Sequence, residues 1–195
     1  MKSVTRILGI DPGLRCTGWG VVMVDQGRLQ HISHGVIRPD PSDCDADRLT
    51  VIYQELLSVI NETHPDIAAI EEIFVAKSAH SALRLGMARG AAILACGVAR
   101  IIVNEIAARA VKKAVVGTGI ASKEQVQEMV LRLLQVRAKN EDAADALAIA
   151  IAASNDAGKP ADISVKSSHA KLDDPLSKAI SLALARDDAK HRGKK

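Results

Sequence analysis

The chain has 195 residues, 48% apolar and 25% charged, with a formal net charge of +3. That is ordinary globular composition, enough for one domain and an appendage, and it excludes a disordered chain, a collagen and a small disulfide scaffold. Three aromatic residues, Trp19, Tyr53 and Phe74, leave a core to be built from Val, Ile, Leu and Ala. Three cysteines, Cys16, Cys44 and Cys96, form no C-x-x-C pair, so neither a disulfide framework nor a zinc site is expected, and a reducing, cytoplasmic setting fits. Asp11 interrupts the first apolar run, and the longest uncharged stretch, 90–99, is half a membrane span, so no membrane association is expected.

Residues 6–10, 17–24 and 29–38 read as three strands separated by Asp11-Pro12-Gly13 and a Gln26-Gly27 turn, an antiparallel meander. Over 47–61, Leu49, Ile52, Tyr53, Leu56, Leu57 and Ile60 recur at helical spacing, and Pro65 marks the end of that helix. A short apolar strand over 66–70, a helix over 78–96 and a second buried strand over 100–103 follow. Two helices are expected at 106–114 and 123–135, the latter opened by Ser122 and Gln125 as a capping box. The last, 141–153, has Asn140 as its cap. The pattern predicts an α/β fold, a mixed sheet flanked by helices. Beyond Ser154 periodicity is lost, so a domain over 1–154 and a linker with a short basic helix or tail over 155–195 are expected.

Charge is unevenly distributed. Residues 1–75 carry 6 basic and 11 acidic side chains, residues 76–140 carry 11 and 3, and residues 141–185 carry 4 and 7. A basic middle between acidic flanks suits a phosphate-contacting surface beside a carboxylate cluster, although a solvated helix face reads the same way. Asp11 ends the run Ile7-Leu8-Gly9-Ile10, and Glu71 ends Ile67-Ala68-Ala69-Ile70, so each places a carboxylate where a buried strand emerges. An Asx turn from Asp11 to Gly13 is the structural alternative. Asp142 and Asp145 lie three apart on one helix face. The helix dipole accounts for acids in the first turn, but Asp145 sits deeper among alanines, where an unpaired carboxylate is costly and a divalent cation would remove the cost. Four carboxylates from two strand ends and a helix are what two Mg²⁺ ions need, and ions roughly 3.5 to 4 Å apart stabilise attacking and leaving oxygens in phosphodiester cleavage. His31 and His34, three apart on a strand, are expected to face opposite sides and to form no competing site.

Ile7-Leu8-Gly9-Ile10-Asp11-Pro12-Gly13 with Thr17-Gly18, Ala69-Ile70-Glu71 with Phe74 and Ala76-Lys77, and Asp142-Ala143-Ala144-Asp145-Ala146-Leu147-Ala148 together closely resemble the RuvC family of Holliday-junction resolvases. The likeness runs from about Arg6 to Ala153. It implies an RNase H-like fold, a homodimer, paired nicking of four-way junction DNA with two Mg²⁺ per site (Mn²⁺ able to substitute), and association with the RuvA and RuvB branch-migration proteins. It also carries the catalytic, metal-holding acids onto Asp11, Glu71, Asp142 and Asp145, and the basic residues near the scissile phosphate onto Lys112 and Lys123. Phe74 could stack on or wedge against an unpaired base, or serve as an ordinary core side chain. The tail after Ser154 has no counterpart in the resemblance. The weighed alternatives are an actin-like or sugar-kinase ATPase, for which the chain is short, a nuclease acting on RNA/DNA hybrids, and a junction-binding protein without activity.

Overall fold

This computed structural model describes residues 4–72 and 79–155. Phe74 and the expected linker and basic helix lie outside the described residues. β1 (Val4–Asp11), β2 (Thr17–Asp25) and β3 (Arg28–Ile37) form the meander. They are followed by α1 (Asp45–Thr63), β4 (Ile67–Glu71), α2 (Ala79–Val98), β5 (Ile102–Ile106), α3 (Ala108–Val116), α4 (Lys123–Leu134) and α5 (Glu141–Ser154). The sheet order is β3-β2-β1-β4-β5. β2 runs antiparallel to β1 and β3, whereas β4 is parallel to both β1 and β5.

Alternation along the strands sorts the core into two layers. Ile7, Val22 and Ala69 pack with α3, α4 and α5, while their neighbours Leu8, Val21, Ala68 and Ile70 pack with α1 and α2. α5 is buried without a break from Ala146 to Ala153. Its closeness to the sheet depends on two glycines. A methyl group on Gly9 would run into the Ala146 carbonyl oxygen and stand 2.6 Å from the Ala150 nitrogen, and one on Gly18 would run into the Asp142 carbonyl. Only a residue without Cβ lets the helix backbone lie directly on β1 and β2 there.

The caps follow the sequence. Ser122 and Gln125 form the reciprocal capping box of α4, and Asn140 Oδ1 accepts from the Asp142 backbone N–H at 2.9 Å. β5 departs from expectation: it extends to Ile106, so α3 begins only at Ala108, and Ile102 is 66% exposed. Among the described residues β5 is an edge strand paired with β4, and an edge lacks the second neighbour that would bury it.

The two histidines overturn the expectation that they face opposite sides. Val21 pairs with Ser33 but Val22 pairs with His31, which leaves Ile32 as the extra residue of a β-bulge. The insertion shifts the two-residue phase, so both imidazoles share a face, with His31 Nε2 2.8 Å from His34 Nδ1. Burial lowers both pKa values, and the charge of His34 lowers that of His31 further.

By length and composition α2 could cross a membrane, with a mean hydropathy of 1.2 over its most apolar stretch. In the fold it turns Ala88, Ala92, Ala95 and Cys96 into the core, and Arg89 Nη2 lies 2.7 Å from Glu105 Oε2 on β5.

Candidate active site

Four carboxylates gather where β1, β4 and α5 converge. Ile10 and Ile70 are partners in the parallel β1–β4 ladder. The following residues, Asp11 and Glu71, therefore leave adjacent strands side by side on the face that carries Ile7 and Ala69. The Asx-turn alternative fails: the Gly13 N–H donates to Thr17 Oγ1 at 3.2 Å, and that hydroxyl donates to the Gly13 carbonyl at 2.9 Å. A fully buried threonine, rather than Asp11, closes the turn. Resting on Gly18 and Gly9, α5 brings its acids to the same place.

Asp11, Glu71 and Asp145 line a pocket of about 260 Å³ together with Lys112 and Lys123, against the apolar Val111, Val126 and Ile149. Asp142 lines a neighbouring groove of about 1030 Å³ that Cys16 also lines, and its charge still reaches Asp11 and Asp145. The pocket is electrostatically overloaded. Burial first, then the charges of Asp145, Glu71 and Asp142, raise the Asp11 pKa from 3.8 to about 7, against a smaller opposing effect of Lys123. Burial and Asp145 also raise Glu71, with Lys112 pulling the other way. Burial raises Asp145 even though Lys123 bonds it. The Lys123 ammonium stands 3.1 Å from Asp145 Oδ2 and 3.0 Å from Glu141 Oε2. Burial works against its charge, but the hydrogen bonds to Glu141 and Asp145 outweigh it and hold the amine above ordinary lysine.

Hard oxygen donors crowded into a partly desolvated site, with Asp11, Glu71 and Asp145 binding protons more tightly than usual, fit a divalent cation such as Mg²⁺. Asp11, Glu71 and Asp145, with Asp142 from the groove side, are the residues that would hold it. Among the described residues, no three His, Cys, Asp or Glu side chains are closed around one point, and Lys123 occupies one oxygen of Asp145.

Sequence reasoning missed Cys16. Burial, and then a hydrogen bond to the Asp142 side chain, raise its thiol to about 11, so it stays protonated as a donor to that carboxylate. Its place in the turn between Asp11 and Gly18 was the available signal. Reasoning from the amphipathic pattern also missed Arg48, which is buried on α1 and donates through Nη2 to the Leu14 carbonyl at 2.9 Å.

Residues 7–153 match the family model described as crossover junction endodeoxyribonuclease RuvC. A relative of that name from Caulobacter vibrioides is 51% identical over 152 residues, covering 77% of this chain and 90% of the relative. One from Maricaulis maris is 53% identical over 151 residues, covering 77% and 91%. The structure of Thermus thermophilus RuvC in complex with Holliday junction substrate aligns with a TM-score of 0.72 at 32% identity, covering 76% of this chain and 92% of that one. The yeast mitochondrial Holliday junction resolvase Ydc2 shares the fold, at 13% identity and a TM-score of 0.57 over 76% and 78% of the two chains. The sheet and its two helical layers are those of the RNase H-like α/β class, and the chain belongs to the RuvC family of crossover junction endodeoxyribonucleases.

Proposed function

We propose that this protein is a structure-selective endodeoxyribonuclease that resolves four-way DNA junctions by paired symmetric nicks in homologous recombination and repair. The products carry 5′-phosphate and 3′-hydroxyl ends. The observation that carries the reading is the overloaded pocket of Asp11, Glu71 and Asp145 beside Lys112 and Lys123, in a chain of this family. Asp11, Glu71, Asp142 and Asp145 are the catalytic acids and hold two Mg²⁺, for which Mn²⁺ can substitute. When bound, such ions supply an activated water and neutralise the charge growing on the leaving oxygen. Lys112 and Lys123 neutralise phosphate without reading sequence, and Lys123 also fixes the side chain of Asp145. Phe74, three residues beyond Glu71, is assigned to contact with an unpaired base.

A four-way junction has two strands of like polarity to cut, so two equivalent sites in a homodimer suit it. The outer stripe of α2 is the proposed interface: Leu83, Leu94 and Val98 are exposed, and Gly86, Gly90 and Gly97 have open space in front of them. Residues 1–154 form the nuclease domain and 155–195 an appended segment. The branch-migration proteins RuvA and RuvB are the proposed partners. Three free cysteines agree with a cytoplasmic setting.

The test is cleavage of a synthetic four-way junction, a linear duplex and an RNA/DNA hybrid, with Mg²⁺ or EDTA, using Asp145→Asn as control. Symmetric, metal-dependent nicks in the junction alone support the reading. Cleavage of the hybrid instead would replace the substrate, and binding without cleavage would refute the enzyme.

A further inference from the structure

The groove on the Asp142 side holds positive charge for which the chemistry above has no use. Arg15, Arg38, Arg48 and Arg84 line it against two carboxylates, Asp142 and Asp40. Asp40 is already committed, because Ser42 donates to its Oδ1 from the backbone at 2.8 Å and from the hydroxyl at 2.6 Å.

Arg48 is the deepest of the four, with only 6% of its surface exposed. Its counter-ions are shared or distant: Nη1 lies 3.6 Å from Asp45 Oδ1, an oxygen that Arg84 Nη2 also holds at 3.1 Å, and Asp40, bonded by Ser42, feels the Arg48 charge only weakly. Among the described residues, Arg48 Nε has no hydrogen-bond partner. A buried guanidinium whose counter-ions are shared is costly, and an anion entering the groove would offset its charge. The planar fork of arginine matches phosphate oxygens, and four forks in one groove exceed what support of the Leu14 carbonyl requires.

The occupant follows from where the groove ends. Asp142 lies at its wall, and Asp142 is felt electrostatically by Asp11 in the neighbouring pocket. A phosphate in the groove therefore belongs to the chain of phosphates that passes the acids. We propose that this groove is a second phosphate subsite, holding a backbone phosphate of the cleaved DNA strand on the far side of Asp142 from Lys112 and Lys123. The strand is then gripped by a basic wall on each side of the acid cluster, which fixes the scissile bond between them. This inference rests on the nuclease reading.

The experiment uses the full chain carrying Asp145→Asn, with junction binding followed by fluorescence anisotropy from low to high salt. Adding Arg38→Ala or Arg84→Ala should weaken binding roughly tenfold, the size of one charge-assisted contact. Each should also reduce the salt slope by about 0.9. Arg132→Ala, at an exposed position of α4 and paired with Glu128, should do neither. Asp45→Asn separates this from a structural role: removing the shared counter-ion should tighten binding, whereas a mere strut would leave it unchanged or weakened. Junctions with single methylphosphonates beside the cleavage point locate the contact. At one position the neutral linkage should weaken the parent but add nothing to Arg84→Ala. Unchanged slopes in the groove variants, or additive losses at every position, would overturn the subsite. A parent that binds no junction would instead overturn the nuclease reading.

Discussion

Replacing Asp11 by Asn keeps the size of the side chain and removes one charge from the pocket, so its effect on stability isolates the electrostatic cost of the acid cluster. Asp11 binds its proton more tightly in the folded chain than in the unfolded one, with a pKa of about 7 against 3.8. Stability therefore falls as pH rises from 3.8 through 7, and the whole penalty is present above 7. That difference sets a ceiling of about 4 kcal/mol. Water at the partly exposed carboxylate screens the repulsion and brings the expected effect to about 1–3 kcal/mol, or roughly 3–9 °C in melting temperature for a domain of this size. Thermal melts of Asp11→Asn and the parent should thus differ by several degrees at pH 8, with the variant more stable, and converge as pH falls toward 4. Mg²⁺ at pH 8 should raise the melting temperature of the parent more than that of the variant, since the ion binds the folded cluster and not the unfolded chain. Equal melting temperatures at both pH values, or a variant less stable at pH 8, would refute the reasoning.

Asp142→Asn should abolish junction cleavage while leaving binding within a few-fold of the parent, as measured by gel shift beside the cleavage assay. Lys123→Ala should slow cleavage and reduce the salt slope of binding by about 0.9. Its cost in stability should stay below about 1 kcal/mol, because the ammonium is 45% exposed. Gly9→Ala forces a methyl group into the backbone of α5 and should cost about 3 kcal/mol or more, read as a lower urea midpoint. Leu94→Glu places a charge on the outer stripe of α2 and should shift the protein to a monomer in sedimentation, with loss of paired nicking.

Three of the four acids were legible because each interrupts a pattern that physical chemistry makes regular. Asp11 and Glu71 end apolar strands, and Asp145 sits among alanines where nothing local repays its desolvation. Register then brings the first two together, since Ile10 and Ile70 are ladder partners. Asp142 was harder to single out, because a helix dipole explains an acid in a first turn just as well. Two kinds of feature stayed hidden. The sharing of a face by His31 and His34 depends on one extra residue at Ile32, and a bulge leaves no trace in an alternating pattern that tolerates polar residues on both faces. The burial of Arg48 depends on the Leu14 carbonyl, 34 residues away in the chain, so its own helix pattern could not show it.

These hidden features share a cause. Periodicity reports what a residue does within its own element, whereas Arg48, Cys16 and Gly18 act where two elements meet. Gly18 is small because α5 crosses there, and burial, together with the Asp142 carboxylate that arrives there, raises the Cys16 thiol. The β1–β2 turn is therefore fixed from three sides: by Thr17 within it, by Arg48 from α1 and by α5 above it. A turn held so firmly keeps Asp11 against Glu71 and Asp145 despite their mutual repulsion. The carboxylates cannot relieve that repulsion by moving apart, and burial together with it raises the Asp11 pKa to about 7.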